Sequence, residues 1–242
     1  MERRHDTLDG IEILGGLTAE ARRVLAGRCT WRDFKPHQQI LGHQEDTRTV
    51  LFLTAGKAHA TIFSESGRQV TFRDINSGEM FGEFAAIDGK PRTATVEAVT
   101  RCTVATMSPD LFWEMLRTES AVMAAVLKRL TRQLRVLSEK VFESATLPVG
   151  KRIVAELLRL AEPLKTEAGN AVLFPAPTNT DIASRVATTR ETVNRELRAL
   201  IDAGIIEKHD RGALAVAGGI CIEFDHRDVL RGRPTLAIRA LF

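Results

Sequence analysis

Two short constellations in this chain combine residue types that do chemistry. The first is the run Phe81-Gly82-Glu83-Phe84-Ala85-Ala86-Ile87-Asp88-Gly89-Lys90-Pro91-Arg92-Thr93-Ala94-Thr95-Val96. A guanidinium meets the two free oxygens of a singly charged phosphate with parallel hydrogen bonds, and Arg92 is the residue for it. Thr93 adds a hydroxyl donor, and the N–H groups of a short apolar helix add more. Glu83 is an acceptor suited to a sugar hydroxyl, and Gly82 lets the backbone approach a ligand closely. A lone Glu and Arg nine positions apart would equally make an ordinary ion pair at a sheet edge.

The second constellation runs from Thr180 to Leu197. Ile182, Ala183 and Val186 make one small apolar face. A short turn follows, and Thr189 can N-cap a second helix. Val193, Leu197 and Leu200, at i, i+4 and i+7, bury one side of it. Arg190, Glu191, Asn194 and Arg195 stay outside near its N-terminus. That is the spacing of a helix-turn-helix, which presents such residues to the major groove. The competing reading is a salt-bridged surface helix, since Glu191 and Arg195 form an i, i+4 pair.

These groups need elements to hold them. Up to about residue 105 the apolar segments are short and β-branched: 49–53, 60–63, 70–72 and 93–96. Gly56, Gly67 and Gly78 punctuate them at equal steps, which predicts a sandwich or barrel. A helix capped by Thr18 precedes them, with Val24 and Leu25 facing inward. From Ser108-Pro109 the habit becomes helical, with Ser108 as N-cap and Pro109 in the first turn. Met123, Leu127, Leu130, Leu134, Leu137 and Val141 follow a heptad spacing. A helix from about 120 to 143 would be ~35 Å long. Lys128, Arg129, Arg132 and Arg135 fall off that seam and read as a solvated face. Pro148 marks a hinge at 145–148. An amphipathic helix with Ile153, Leu157, Leu158 and Ala161 inward follows, then a loop over 163–178. Residues 205–209 and 213–216 read as a hairpin about Asp210-Arg211-Gly212. Arg231, Arg233 and Arg239 offer phosphate contacts, although a tail packed on that domain is the expected reading.

The Phe81–Val96 run resembles the phosphate-binding cassette of cyclic-nucleotide-binding domains, in its Phe-Gly-Glu and in its Pro-Arg-Thr-Ala-Thr-Val. The Arg190-Glu191-Thr192-Val193-Asn194-Arg195 run resembles the recognition helix of the Crp/Fnr family of bacterial transcription regulators. Together the resemblances cover about residues 8–217. They imply an α+β chain: a jelly-roll cyclic-nucleotide-binding domain over 1–108, a dimerisation helix over 109–145, and a winged helix-turn-helix domain with a C-terminal extension over 146–242. They imply a ligand site of Phe81, Gly82, Glu83, Phe84, Ala85, Arg92 and Thr93, with Leu137 and Ser138 of the long helix. DNA contacts are implied at Thr180, Thr189, Arg190, Glu191, Thr192, Asn194 and Arg195. Arg190 and Arg195 would read guanine and Glu191 cytosine, in half-sites resembling TGTGA. Ala187 stands where the turn usually has glycine. A homodimer on a palindromic double-stranded operator is implied, with RNA polymerase as a partner through a loop near 162–171. The ligand implied is cAMP. Family members that respond to it carry two adjacent hydroxyls on the dimer helix; here Leu137 precedes Ser138, and Thr93 can bond a guanine amino group. The expectation is therefore weak discrimination against cGMP. The rival within the family is an activator independent of ligand, with a vestigial nucleotide site.

Composition limits the alternatives. The 242 residues are 44% hydrophobic and 27% charged, ordinary for a globular chain of two domains. Net charge is +3, split +1 over 1–145 and +2 over 146–242, so neither half is a polycation. No apolar run is long enough for a membrane span, and Met1-Glu2-Arg3-Arg4-His5-Asp6 does not open a secretory signal. Cys29, Cys102 and Cys221 are too few for a four-cysteine iron–sulfur cluster, and they suit a reducing cytoplasm. None of the six histidines sits in a haem motif. No metal cluster, nucleophile elbow or Walker loop appears, so an enzyme is not expected.

Overall fold

The computed structural model describes residues 7–63, 69–161, 171–173, 176–204, 206–209, 213–216, 220–224 and 236–240. The chain divides into two compact units, 1–135 and 136–242.

The first unit is a β-roll of two four-stranded sheets. Its strands are β1 (Thr30–Phe34), β2 (Gln39–Leu41), β3 (Val50–Ala55), β4 (Lys57–Phe63), β5 (Gln69–Asn76), β6 (Met80–Phe81), β7 (Thr95–Ala98) and β8 (Cys102–Met107). One sheet has the order β1-β8-β3-β6 and the other β2-β7-β4-β5, with antiparallel neighbours. Val50-Leu51-Phe52-Leu53 does not alternate because both faces of β3 are covered. Leu51 and Leu53 join Phe34, Leu41, Phe81 and Val96 inside the roll. Val50 and Phe52 face a second core of Leu8, Leu14, Met107, Phe112, Val122 and Val126. Gly56 and Gly78 turn the chain at φ +93° and +94°. A Cβ on Gly56 would lie 2.3 Å from the Arg101 carbonyl oxygen, so glycine is required there. Gly67 lies outside the described residues.

The helices of this unit begin at their expected caps. Thr18 accepts from Ala21 N at the start of α1 (Ala19–Gly27). Ser108 accepts from Leu111 N at the start of α3 (Pro109–Thr118). Within α1 the expectation for Val24 fails: it is exposed, and Leu25 and Ala26 make the inward contacts. The short α2 (Glu83–Asp88) follows β6, and the long α4 (Ser120–Thr146) runs from the first unit into the second.

Helix α4 carries two stripes. Val122, Val126 and Arg129 are buried against the roll. Met123, Leu127, Leu134, Leu137 and Val141 are 38–69% exposed along the heptad seam. Leu130 departs from that seam and packs partly on the roll's helical core. Arg129 also corrects an expectation. It is not on a solvated face, because its position repeats the spacing of Val122 and Val126.

The second unit packs α5 (Val149–Ala161), α6 (Asn179–Arg185) and α7 (Arg190–Asp202) around Ile153, Leu157, Ile182, Val193 and Ile206. Strands β10 (Ile206–His209) and β11 (Ala213–Val216) form the expected hairpin. A third strand, β9 (Ala171–Leu173), pairs with β11 where a loop was expected. The short run was hidden between Gly and Pro residues, and its pairing to β11 is non-local. The hairpin turn over 210–212, the loop near 162–170 and Arg231 and Arg233 lie outside the described residues. Strands β12 (Ile220–Phe224) and β13 (Leu236–Ala240) pair with each other, where the tail had no predicted element.

Among the described residues no helix is long and apolar enough to cross a membrane, and no group of His, Cys, Asp and Glu is placed to hold a metal ion. The turn between α6 and α7 puts Ala187 at φ +53°, a left-handed conformation that strains any residue with a Cβ. Ala187→Gly should therefore raise the stability of this unit by about 1 kcal/mol, seen as a higher urea midpoint in far-UV circular dichroism.

Candidate functional sites

The cassette is built on a left-handed glycine. Gly82 has φ +77°, and a Cβ there would meet Arg92 Nη1 at 2.8 Å and Leu51 Cδ1 at 3.1 Å. Glycine thus serves both the turn into α2 and the close approach of the Arg92 guanidinium. Arg92 lies in the loop before β7, tied by two backbone hydrogen bonds to the segment after β2: Gln44 N to Arg92 O and Arg92 N to Glu45 O.

The arginine and the glutamate are both taken out of water, at 3% and 4% exposure. They do not form the simple ion pair that their types suggest. Arg92 Nε donates to Thr47 Oγ1 at 2.9 Å, and Nη1 donates to the Gly82 carbonyl at 2.6 Å. Nη2 donates to the carbonyl and the hydroxyl of Thr49, at 2.8 and 3.1 Å. Burial pulls this guanidinium below its ordinary value, and the charges of Glu45 and Glu83 act against that pull. Among the described residues, the Glu83 carboxylate makes no hydrogen bond. Its oxygens are not among the fully buried polar atoms without a partner, so the carboxylate stays open to a donor from outside the chain.

The remaining cassette residues divide by exposure. Phe81 and Ala85 turn their side chains into the protein, so only their backbone can face a ligand. Phe84 and Thr93 are exposed. Trp113 Nε1 of α3 donates to the Ala86 carbonyl at 2.9 Å and holds α2 from behind. Leu137 and Ser138 lie on the part of α4 that belongs to the second unit, and both are exposed.

Several residues near the cassette had not been singled out. Thr47 and Thr49 carry no motif, and only the fold brings them to Arg92. Arg129 of α4 reaches back to β6: Nη2 donates to Glu79 Oε2 and to the Met80 carbonyl, each at 2.8 Å. Arg73 shares these partners, with Nη2 3.2 Å from the Met80 carbonyl and Nη1 3.4 Å from Glu79. Burial, and then the neighbouring Arg129, lower the Arg73 guanidinium, against the pull of Glu79, Glu83 and Asp74. Helix α4 is thereby fastened to the strand that delivers Phe81 and Gly82. A second signal for Arg129 existed in the sequence, its place on the Val122–Val126 stripe.

In the second unit, α6 opens with a capping box, in which Thr178 and Asp181 satisfy each other's backbone. Thr189 caps α7 and accepts from Thr192 N at 3.3 Å, and the two hydroxyls lie 3.0 Å apart. Val193 is fully buried, and Leu197 and Leu200 pack on the same core. Arg190, Glu191, Asn194 and Arg195 point outward and are exposed, as is Thr180, while Thr192 is half-buried. The Glu191–Arg195 pair does not form among the described ion pairs. Arg195 instead lies 3.2 Å from Glu196, at 71% side-chain exposure. That leaves the outward face of α7 polar and open near its N-terminus, as a helix that enters the major groove requires.

Replacing Arg129 by Met would leave the Met80 carbonyl with only the longer bond from Arg73, and Glu79 with Arg73 as its one cation beside the Asn76 donors. Arg129→Met should cost about 3 kcal/mol in the first unit, measured by the fluorescence of Trp31 and Trp113 during urea unfolding. A loss under about 0.5 kcal/mol would mean that α4 is held by its apolar stripe alone.

Residues 31–119 match the cyclic nucleotide-binding domain family, and residues 151–217 match the Crp-like helix-turn-helix domain. The cAMP-activated global transcriptional regulator CRP of Salmonella typhimurium is 30% identical over 178 residues, which cover 73% of this chain and 85% of that protein. The cAMP-activated global transcriptional regulator Vfr of Pseudomonas aeruginosa is 26% identical over 199 residues, 81% of this chain and 92% of the relative. Among solved structures, the c-di-GMP responsive global regulator CLP of Xanthomonas campestris superposes with a TM-score of 0.71 over 83% of this chain and 100% of that one. At 19% identity this last likeness is one of fold alone. With a glycine-built cassette in one unit, an open polar helix face in the other, and a regulator 30% identical along most of its length, the chain belongs to the Crp/Fnr family of DNA-binding transcription regulators that carry a cyclic-nucleotide-binding domain.

Proposed function

We propose that this regulator acts in the cytoplasm as a homodimer whose operator binding depends on a cyclic nucleotide, with cAMP as ligand and cGMP tolerated. The observation that carries the reading is that Glu83, whose carboxylate makes no hydrogen bond among the described residues, stands in one cassette with the buried Arg92. A 3′,5′-cyclic nucleotide offers a ribose 2′-hydroxyl to Glu83 and a phosphate anion for which Arg92 would exchange some of its protein acceptors. The two regulators named above as cAMP-activated support the same ligand. Leu137 supplies no hydroxyl for an adenine amino group, which favours tolerance of guanine.

The exposed seam of α4 supports dimerisation. A parallel pair of helices would cover Leu127, Leu134 and Val141, and would place two recognition helices about 34 Å apart on a palindrome. Arg190, Glu191 and Arg195 suit TGTGA-like half-sites by base-edge geometry. RNA polymerase completes the set of partners. The organisation that goes with this reading is a ligand domain over 1–108, a dimer helix over 109–145 and a DNA-binding domain over 146–242.

A second reading has an observation of its own. The Arg92 guanidinium already has protein acceptors, so the cassette is satisfied in part without ligand. That arrangement suits an activator independent of nucleotide. A gel shift on a palindromic operator without ligand, with cAMP and with cGMP separates the two. Retardation that needs a nucleotide supports the first reading, and equal retardation in all lanes supports the second. In the first case Arg92→Ala should abolish the response to nucleotide while the fold survives. If that variant still shifts the operator only when cAMP is added, the ligand lies elsewhere. Arg190→Ala should keep nucleotide binding and lose ~1–3 kcal/mol of operator discrimination per half-site.

A further inference from the structure

The second unit contains a charged cluster that neither the cassette nor the recognition helix uses. Glu156 of α5 is 3% exposed and Glu143 of α4 is 5% exposed. Carboxylates so far from water need cations close by. Lys140 of α4 reaches Glu156 Oε2 at 3.1 Å, and Arg159 of α5 reaches the same oxygen at 2.6 Å. Arg159 also bridges to Glu143. Arg185, in the last turn of α6, lies 3.7 Å from the other Glu156 oxygen. One carboxylate thus faces the end of α4 with one oxygen and the first helix of the helix-turn-helix with the other.

Helix α5 holds the DNA-reading pair at two more points. Arg152, one turn before Glu156, donates from Nη1 to the Val186 carbonyl at 2.8 Å, which fixes the end of α6. Gly150 lies next to the Glu196 side chain of α7, since a Cβ there would come within 2.6 Å of Glu196 Oε2. A buried ion cluster contributes little net stability compared with apolar packing of the same volume; its best-attested use is to fix register. Each charge here accepts few partners, so a displacement of α4 cannot be absorbed by side-chain slippage as it would be between leucines.

We propose that Lys140 and Glu143, with Glu156 and Arg159, are positioning residues for DNA reading: they key the end of α4 to α5 and α6, so that a movement of α4 becomes a movement of the recognition helix. Lys140 lies within one turn of Leu137 and Ser138, the positions of α4 expected to meet ligand. The inference rests on the nucleotide-dependent reading given above. Its test is the ratio of operator affinities with and without saturating cAMP, by fluorescence anisotropy, in the full-length wild type and in Lys140→Met and Lys140→Arg. Lys140→Met keeps the length and burial of the side chain and leaves Glu156 with Arg159 and Arg185. The expected result is a ratio that falls at least tenfold in Lys140→Met and returns to within threefold of wild type in Lys140→Arg, while binding of a fluorescent cAMP analogue is unchanged. Glu143→Gln, read in the same way, should also lower the ratio, and it serves if Lys140→Met fails to fold. A wild-type ratio above ten that both substitutions leave intact, with the two affinities falling together, would make the cluster a structural support and overturn the inference. A wild-type ratio of one would overturn the nucleotide-dependent reading, and this inference with it.

Discussion

The structure depends on guanidinium groups that have been taken out of water. An arginine does not relieve its burial by losing a proton, as a lysine can, so it must be given acceptors. Arg92 obtains them from the carbonyls of Gly82 and Thr49 and from two threonine hydroxyls. Those acceptors arrive from the turn after β6 and the loop that leads into β3. The conformation of the cassette is therefore set by what one side chain needs. Gly82 suits its place because its φ is left-handed and a Cβ there would crowd the guanidinium at 2.8 Å. Two β-sheets, a left-handed turn and a backbone-paired loop converge to hold a cation next to a carboxylate that has no donor among the described residues.

The same requirement recurs along α4. Near its start Arg129 is accommodated by Glu79 and the Met80 carbonyl. Toward its end Lys140 and Glu143 are accommodated by α5. Between them the helix offers leucines and valine to its surroundings. Polar contacts of this kind choose a register, whereas apolar stripes tolerate several. Where α4 meets its own chain, Val122 and Val126 add apolar burial to these charged contacts, and the exposed seam is apolar.

Much of this could be read in the residues before any coordinates. Caps at Thr18, Ser108 and Thr189, the heptad of α4 and the two-helix motif are local patterns, set within four to seven residues. The cassette was legible because its types and order are constrained together. What escaped detection is non-local. Thr47 and Thr49 are ordinary residues until β3 brings them to Arg92. Strand β9 has three residues and exists through its pairing with β11. Val24 looked buried because an apolar pair was read without its helical phase. Arg129 looked solvated because charge was weighed above position, although Val122 and Val126 fixed the stripe it completes. The Glu83–Arg92 pairing was plausible by type, and it fails because backbone carbonyls compete successfully for the same donors.

The exposed seam of α4 carries a consequence for the amount of protein present. A row of large apolar side chains in water is a cost that a second helix would remove, and that gain scales with the logarithm of concentration. The fold of a chain paired along such a seam would have no single stability, but one for each dilution. For a seam paired in that way, expression level would enter the same equation as any ligand, and more of the protein would make each folded copy more stable.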